Sequence, residues 1–457
     1  MTAPPLKPNA LALVGNTPVV ELTRLDTGPC RLFVKLESQN PGGSIKDRIA
    51  LSMIEAAERE GRLAPGATIV EATAGNTGLG LALVAAQKGY RLLLVVPDKM
   101  AREKVLHLKA LGAEVRITRS DVPKGHPEYY QDLAERLVKD LPDAFYVNQF
   151  DNPANPLAHE TGTGPEIWEQ LDHNVDAVVA GVGSGGTITG LGRFFRRVSP
   201  KTEMVLADPE GSVLAHYIST GELIEAGSWK VEGIGEDFVP PIADLSLVKR
   251  AYTISDAESF ETARELLVEE GILAGSSSGT LVAAALRWCR EQTEPKRVVT
   301  LIADSGNKYL SKMFDDFWLL DEGFAPRPHT ATVRDLVTRR FDAGGTIVVS
   351  PNDTLRTACS RMRAADVSQL PVLDGGRLVG LIDESDILQS LALTGSFDKQ
   401  VRDAMVRELV TTPADAPIAA LHGLFAQDRV AIVVDGDRFL GLVTRVDLIN
   451  HLRLEAA

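Results

Sequence analysis

The chain has few cysteines, no excess of positive charge and no long apolar run, and each shortage excludes a class of protein. Its three cysteines, Cys30, Cys289 and Cys359, stand far apart without a CxxC or Cys/His cluster, so neither a disulfide framework nor a metal site is predicted. The net charge of -14 opposes binding to nucleic acid or to an anionic membrane, because both need clustered Lys and Arg. We therefore expect no nucleic-acid partner and no membrane partner.

The shortage of apolar runs also bears on location. The run at 92–96 is far shorter than the roughly 20 residues that span a bilayer, and residues 1–10 lack the basic and then apolar pattern of a secretory signal. We expect a cytoplasmic protein.

The length of the chain predicts more than one domain. Its 457 residues exceed the roughly 250–300 at which a single core stops growing, so a large domain and a smaller one are predicted.

Short apolar runs alternate with longer amphipathic stretches through residues 11–320. The run 68–71 precedes a helical pattern at 78–88, and the run 175–181 precedes one at 189–197. Such alternation is typical of βαβ units, which build a mainly parallel sheet covered by helices and bind ligands at the C-terminal ends of strands. The predicted fold class of this part is α/β.

A break and a repeat follow. Residues 321–330 contain a glycine and two prolines, as linkers do. Beyond them, the stretch 374–386 (DGGRLVGLIDESD) is echoed at 435–447 (DGDRFLGLVTRVD), and each copy predicts a strand, a glycine hairpin, a second strand and a helix. We predict a catalytic domain at 1–320, a linker at 321–330 and a pair of small domains at 331–392 and 398–457.

The segment 40–48 (NPGGSIKDR) places Lys46 after a glycine turn, at the start of an amphipathic helix that runs to about Glu60. A helix N-terminus is electropositive and helps to lower the pKa of an amine. Lys46 therefore suits Schiff-base chemistry, in which a neutral amine attacks a carbonyl. A solvated surface lysine is the alternative, and this segment alone does not decide between the two.

Three further polar turns each lead into a helix. Segment 71–78 (EATAGNTG) suits an α-carboxylate, and segment 181–187 (GVGSGGT) offers backbone amides and hydroxyls to a phosphate. Segment 275–279 (GSSSG) could cap its helix or face a heteroaromatic nitrogen. Each turn alone is also an ordinary capped turn, but together with Lys46 they favour a cofactor site.

These four segments, in this order, resemble the fold-type II pyridoxal-phosphate family, and within it the cysteine synthase and cystathionine β-synthase branch, over about residues 11–320. The resemblance implies two open twisted, mostly parallel sheets flanked by helices. The dehydratase branch fits less well, because it carries Ser-Phe-Lys and Gly-Asn-His where this chain has Ser-Ile-Lys and Gly-Asn-Thr. The implied roles are Lys46 as catalytic and cofactor-binding lysine; Asn76 at the pyridoxal 3-oxygen; Gly183, Ser184, Gly185, Gly186 and Thr187 at the phosphate; Ser277 at the pyridine nitrogen; and Thr73, Ala74, Gly75, Asn76 and Thr77 at the substrate carboxylate.

The resemblance also implies a reaction. A serine opposite the pyridine nitrogen does not hold it protonated, which favours elimination and β-replacement. Segment 231–238 (VEGIGEDF) resembles the cystathionine β-synthase version of a loop that in plain cysteine synthases usually lacks the acidic pair, so Glu236 and Asp237 would orient serine's hydroxyl or receive the amino group of homocysteine. A solvated acidic turn is the alternative for this loop.

We therefore expect condensation of L-serine with L-homocysteine to cystathionine, with pyridoxal 5'-phosphate as cofactor. The alternatives are an O-acetylserine sulfhydrylase or an O-acetylserine-dependent cystathionine synthase, and a nucleotide-sensing scaffold whose catalytic domain is vestigial.

The C-terminal repeat resembles a tandem CBS-domain module of α+β class, which binds adenosine-containing ligands. In that family a Ser or Thr three residues before an Asp contacts ribose and phosphate; Thr444 and Asp447 match, whereas the first copy has Asp383 before Asp386. One regulatory site is expected, for S-adenosylmethionine or AMP/ATP, and a purely structural or dimerising pair is the alternative.

The resemblance to these families further implies a homodimer or larger homo-oligomer. It also implies that haem is absent, since the haem-binding extension of animal relatives is missing.

Overall fold

The structure is a computed structural model, and it describes residues 6–73, 75–98, 100, 102–122, 125–326, 331–427 and 429–455. It divides into two compact units, Met1–Met313 and Phe314–Ala457, each of which is described by itself. The short helix Asp316–Asp321 falls in the second unit. The domain bounds at 1–320, 331–392 and 398–457 stay predictions.

The first unit alternates strands and helices from its first parallel strand onward. In chain order they are β1 (Val19–Leu22), β2 (Arg31–Lys35), α1 (Lys46–Arg59), β3 (Thr68–Ala72), α2 (Asn76–Lys88), β4 (Arg91–Pro97), α3 (Arg102–Ala110), β5 (Glu114–Thr118), α4 (Tyr130–Asp140), β6 (Ala144–Tyr146), α5 (Ala154–Ala158), α6 (Gly164–Gln170), β7 (Ala177–Ala180), α7 (Gly186–Val198), β8 (Glu203–Pro209), α8 (Leu214–Thr220), β9 (Arg250–Ile254), α9 (Asp256–Glu270), α10 (Ser276–Arg290) and β10 (Arg297–Leu301).

These strands form two sheets. The larger has the order β1-β2-β10-β7-β8-β9, in which only β1 is antiparallel to its neighbour. The smaller has the order β5-β4-β3-β6 and is parallel throughout. Strands such as β3 and β7 are buried at every position, as expected of parallel strands covered by helices on both faces. The alternating pattern of the sequence thus predicted the architecture of this unit.

Helices α1 and α2 approach each other closely beside Lys46. A Cβ atom on Gly80 would lie 2.9 Å from the backbone oxygen of Lys46, so glycine at this position permits the contact. Behind α1, the Arg48 guanidinium donates hydrogen bonds to the carboxylates of Glu37, at 2.6 and 2.8 Å, and Glu166, at 2.7 Å. Because charged side chains tolerate burial only when they are paired, this network fixes the helix that carries Lys46.

The second unit contains the duplicated motif. Its elements are α11 (Asp316–Asp321), α12 (Leu355–Ala365), β11 (Gln369–Asp374), β12 (Arg377–Asp383), α13 (Glu384–Thr394), β13 (Thr411–Pro413), α14 (Ala420–Phe425), β14 (Ala431–Asp435), β15 (Arg438–Val443) and α15 (Arg445–Glu455). Antiparallel β11 and β12 followed by α13 correspond to β14 and β15 followed by α15, which is the strand, hairpin, strand and helix predicted for each copy.

Neither a membrane-spanning helix nor a metal-binding cluster occurs among the described residues. None of their helices is both long and apolar enough to cross a membrane. In the same part of the chain, His, Cys, Asp and Glu side chains form no group of three or more that could hold a metal ion.

Candidate active site

Four helices of the first unit begin at one cavity. Its wall includes the first residues of α1 and α2, the loop between β7 and α7, and the first turn of α10. It therefore brings together most residues predicted to bind the cofactor, although they are far apart in the chain. Those that line it are Lys46, Asn76, Gly183, Ser184, Gly185, Thr187 and Ser277.

Lys46 lies at the cavity wall with its amine in a low-polarity setting. Burial lowers the pKa of Lys46 from its ordinary value; the carboxylate of Asp304 opposes this change and the ammonium of Lys308 reinforces it. A lowered pKa increases the neutral fraction of the amine, which is the form that attacks a carbonyl or accepts a proton.

The loop after β7 is a glycine turn that leads directly into α7. Gly185 has a φ of +90°, and a Cβ atom there would lie 2.6 Å from the Cβ of Ala243, so both conformation and packing favour glycine. The following helix α7 has 13 residues and no acidic residue in its first turn, and its first backbone N–H groups lack helical acceptors, as in any α-helix. Gly186 begins α7 behind the cavity, against the side chain of Asn155.

The hydroxyls of this loop are held in place by neighbouring side chains. Asn155 donates a hydrogen bond from Nδ2 to the Ser184 hydroxyl at 2.9 Å, and the Thr187 hydroxyl lies 3.3 Å from Nε2 of His159. One end of the cavity offers backbone amides, hydroxyls and a helix dipole, which suit a phosphate. Elsewhere the wall offers the Lys46 amine, the Asn76 amide and the buried hydroxyl of Ser277. This set of groups fits pyridoxal phosphate.

A polar cluster that the sequence analysis missed surrounds Asn76. Asn76 donates to the Asp304 carboxylate at 2.8 Å, and its oxygen accepts from the Lys308 ammonium at 2.6 Å. Tyr309 also donates to Asp304, at 2.9 Å. Asp304 follows the apolar strand β10 at the edge of the sheet where ligands bind, and this position is the signal that could have identified it.

Glu232 forms a second ionic group at the same cavity. Its carboxylate pairs with the ammonium groups of Lys104 and Lys312, the latter at 2.7 Å, and its backbone N–H donates to the Ser276 hydroxyl at 3.0 Å. Burial lowers the pKa of Lys104 to about 8, and neighbouring Lys312 adds to this change. The loop that begins with Glu232 is thus tied to both α3 and α10.

A second, larger cavity of about 740 Å³ has Thr73 and the predicted acidic pair, Glu236 and Asp237, in its wall. Aromatic and amide side chains that were not predicted complete it; they include Tyr129, Tyr130, Gln149, Phe150 and Phe238. Burial, together with the nearby carboxylates of Asp237 and Asp208, raises the pKa of Glu236 to about 8. Glu236 is therefore largely a neutral carboxylic acid near pH 7, in contrast to the solvated carboxylate that an exposed turn would hold.

The segment predicted to bind the substrate carboxylate connects β3 to α2. The Thr73 hydroxyl accepts a hydrogen bond from the Gly75 backbone N–H at 3.3 Å, and the Thr77 hydroxyl donates to Gln149 at 2.7 Å. Thr73 lines the larger cavity and Asn76 lines the smaller one, whereas Gly75 and Thr77 belong to the turn without lining either cavity. Ala74 lies outside the described residues.

The second unit has a cavity of about 380 Å³ that includes both Thr444 and Asp447. The Thr444 hydroxyl donates to Asp447 at 2.7 Å. In the first copy, the Asp383 and Asp386 carboxylates instead close a reciprocal capping box at the start of α13, and neither lines this cavity. The two copies therefore differ at the predicted position.

Comparison with known proteins identifies both parts of the chain. Residues 10–304 match the family described as "Pyridoxal-phosphate dependent enzyme", and residues 333–393 and 401–454 match the CBS domain. The chain belongs to the pyridoxal-phosphate-dependent enzyme family.

Curated relatives of this pyridoxal-phosphate-dependent enzyme extend over nearly its full length. "Cystathionine beta-synthase" of Oryctolagus cuniculus is 36% identical over 473 residues, covering 98% of this chain and 86% of that protein. "Cystathionine beta-synthase" of Saccharomyces cerevisiae is 36% identical over 495 residues, covering 97% of each. "Cysteine synthase A" of Escherichia coli (strain K12) is 44% identical over 302 residues, covering 65% of this chain and 92% of that protein.

Two solved structures resemble the pyridoxal-phosphate-dependent part. A hydrogen sulfide-producing enzyme from Fusobacterium nucleatum has a TM-score of 0.62 and 37% identity, and covers 67% of this chain and 100% of its own. O-ureido-L-serine synthase has a TM-score of 0.64 and 35% identity, with coverages of 68% and 96%. The predicted family, fold class and CBS module are confirmed.

Proposed function

We propose that this enzyme condenses L-serine with L-homocysteine to cystathionine by pyridoxal-phosphate-dependent β-replacement, as in cysteine biosynthesis by transsulfuration. The observation that carries the proposal is similarity to cystathionine β-synthases along nearly the whole chain. The half-buried acid Glu236 in the larger cavity, whose pKa is raised to about 8, supports serine as the donor.

The proposed cofactor contacts follow from the wall of the smaller cavity. Gly183 to Thr187 would hold the phosphate at the start of α7, Asn76 would bond the ring oxygen, and Ser277 would face the ring nitrogen. Pyridoxal phosphate, when bound, supplies an electron sink that acidifies the Cα proton of an amino acid and labilises its β-substituent. A hydroxyl at the ring nitrogen does not hold that nitrogen protonated, which suits β-replacement.

Lys46 would move the proton at the substrate's Cα. Its amine lies at the cavity wall at the start of α1, and its pKa is lowered. Nζ would therefore accept this proton and later return it. The turn at Thr73 to Thr77 orients the α-carboxylate, which limits the geometries in which the Cα proton faces Lys46.

Glu236 would move the proton at the leaving oxygen. Serine's hydroxyl departs poorly as hydroxide, whereas a protonated Glu236 gives it a proton so that it leaves as water. The sulfur of homocysteine then bonds to Cβ, and its thiol proton restores the acid. Serine and homocysteine thus yield cystathionine and water, with each proton accounted for.

The volume of the larger cavity suits an amino-acid acceptor. About 740 Å³ is far more than sulfide needs and lies within the range of small-molecule sites. The Asp237 carboxylate lines its wall and would receive the ammonium group of homocysteine.

A cysteine synthase that uses O-acetylserine is the second candidate. The higher identity of the catalytic part to "Cysteine synthase A", 44% against 36% for the whole-length relatives, favours it. Acetate leaves without a strong acid, so this reaction would not need Glu236.

Competition between donors tests the proposal. Purified protein loaded with pyridoxal phosphate is supplied with homocysteine and either serine or O-acetylserine, with sulfide as a competing nucleophile, and the products are measured by mass spectrometry. We expect cystathionine from serine to be the dominant product. Dominant cysteine from O-acetylserine and sulfide would establish the second candidate instead.

We propose that the cavity at Thr444 and Asp447 binds an adenosyl ligand, either S-adenosylmethionine or AMP/ATP. Among the residues that the structure describes, its wall includes three carboxylates, those of Asp321, Asp366 and Asp447, and one guanidinium, that of Arg339. An acidic wall repels phosphates and attracts cations. Among the candidate ligands, S-adenosylmethionine is therefore favoured, because its sulfonium is positive and it has no phosphate.

Replacing Asp447 by asparagine is expected to raise the dissociation constant of S-adenosylmethionine about tenfold or more, because the charged acceptor of a hydrogen bond becomes neutral. The matched control is Asp386→Asn, which changes the equivalent residue of the first copy and should leave the affinity within about twofold. Calorimetric titration measures both. Equal losses, or tighter binding of ATP than of S-adenosylmethionine by the unaltered protein, would contradict the assignment.

Self-association is also proposed, as a homodimer or larger homo-oligomer in the cytoplasm, without haem. Large apolar side chains stand exposed on α13 and α15: Leu388 and Leu393 are 70% and 80% exposed, and Val446 and Ile449 are each 62% exposed. Clustered apolar groups on a surface are typical of interfaces.

A further inference from the structure

The amide of Asn76 is held between two opposite charges. The Asp304 carboxylate accepts from its Nδ2 at 2.8 Å, and the Lys308 ammonium donates to its Oδ1 at 2.6 Å. Both partners come from the segment after β10, in which a 3-10 turn spans Gly306–Lys308. Tyr309 donates a hydrogen bond to the same oxygen of Asp304, Oδ2, at 2.9 Å, so the oxygen that accepts from Asn76 is held by a second bond.

This pairing decides which way the amide faces. An ammonium only donates hydrogen bonds and an ionised carboxylate only accepts them. The reversed amide would place its oxygen against the Asp304 carboxylate and its NH2 group against Lys308, losing both charge-assisted bonds. The orientation of Asn76 is therefore fixed by residues outside its own motif.

The fixed orientation also decides what Asn76 offers to the cavity. Its oxygen is engaged by Lys308, and one Nδ2 hydrogen is used by Asp304. The second Nδ2 hydrogen is left for the cavity that Asn76 lines, so the ligand atom opposite it must be an acceptor. An anionic oxygen satisfies this requirement best, because the Lys308 charge lies on the far side of the same amide.

We infer that Asp304 and Lys308 are positioning residues that lock Asn76 as a hydrogen-bond donor to the ring oxygen of the cofactor, with Lys308 favouring the deprotonated form of that oxygen. This inference rests on the proposed binding of pyridoxal phosphate in this cavity. It adds two residues to the site, neither of which lines the cavity itself.

The test replaces Lys308 by methionine, which removes the donor and the charge but keeps the length. The expected result is a rise of about tenfold in the dissociation constant of pyridoxal phosphate and a larger share of the shorter-wavelength absorbance band, which reports a protonated ring oxygen. Lys308→Arg keeps a charged donor and should return both values to within about threefold of the unaltered protein. Equilibrium dialysis and visible spectroscopy measure these quantities without turnover.

Lys88→Met is the matched control. Lys88 ends α2, the helix that Asn76 begins, and its ammonium also pairs with a carboxylate, that of Glu58 at 2.8 Å. It should leave both readouts unchanged. A general loss of folding in Lys308→Met would be visible as a lowered melting temperature of the cofactor-free protein, which we expect to stay within a few degrees of the control.

A double variant shows whether Lys308 acts through Asn76. If it does, Asn76→Ala with Lys308→Met should bind the cofactor as weakly as Asn76→Ala alone, since the effects of coupled residues are not additive. Unchanged readouts in Lys308→Met, or fully additive losses, would overturn the inference. Failure of the unaltered protein to attach pyridoxal phosphate to Lys46 would instead overturn the proposed function, so the two failures are distinguishable.

Discussion

Lys46→Ala is expected to abolish the visible absorbance of the bound cofactor and to reduce turnover by a factor of about 10² to 10⁴ or more, the range associated with a positioned proton-transfer group. The amine of Lys46 lies at the cavity wall and burial lowers its pKa, so its removal takes away both the attachment point and the base. Absorbance and turnover with serine and homocysteine measure the two losses separately.

Lys46→Arg is the control for charge. Its guanidinium is similar in length but stays protonated at all relevant pH values, so we expect it to be as inactive as alanine. The alternative lysines are Lys104 and Lys308, whose pKa values are also lowered by burial. Borohydride reduction followed by peptide mapping tells them apart: cofactor found on Lys104 or Lys308 in the unaltered protein would contradict the assignment of Lys46.

The parts of the site that could be predicted from sequence are those built from local turns. A glycine turn between a strand and a helix presents free backbone N–H groups wherever it occurs, so the positions of Lys46, Asn76 and Gly183 to Thr187 follow from short segments. The duplicated hairpins were predictable for the same reason, because each copy carries its own glycine turn and helix. Such features depend on residues within about ten positions of each other.

The parts that sequence reasoning missed depend on tertiary contact. Asp304 and Lys308 lie 228 and 232 residues from Asn76 along the chain, and the lone glycine of their turn, Gly306, does not by itself mark a site. Gln149 meets Thr77 across 72 residues for the same reason. The order of the parallel strands brings these side chains to one edge, and that order is not visible in apolar periodicity alone.

Replacing both Glu236 and Asp237 by alanine is expected to lower kcat/KM for serine by about 10² to 10³, and for O-acetylserine by less than about tenfold. Serine needs a proton at its leaving oxygen and acetate does not, so loss of the Glu236 acid affects the two donors unequally. The control removes two carboxylates from an exposed loop, Glu222→Ala with Glu225→Ala, which changes net charge equally. Equal loss with both donors would show that the acidic loop has no role in donor choice.

The pH dependence of the reaction provides an independent test of the same acid. Burial beside Asp237 and Asp208 raises the pKa of Glu236 to about 8, so the group carries its proton below that pH and loses it above. A proton donor must be protonated to act, and the rate with serine should therefore fall as the pH rises through about 8, while the ratio of O-acetylserine to serine turnover increases. In Glu236→Gln, which resembles the neutral acid in shape but has no proton to give, this ratio should be high and independent of pH between about 7 and 9. A fall above pH 8 that is the same for both donors would assign the titration to a group that both reactions use, and not to Glu236.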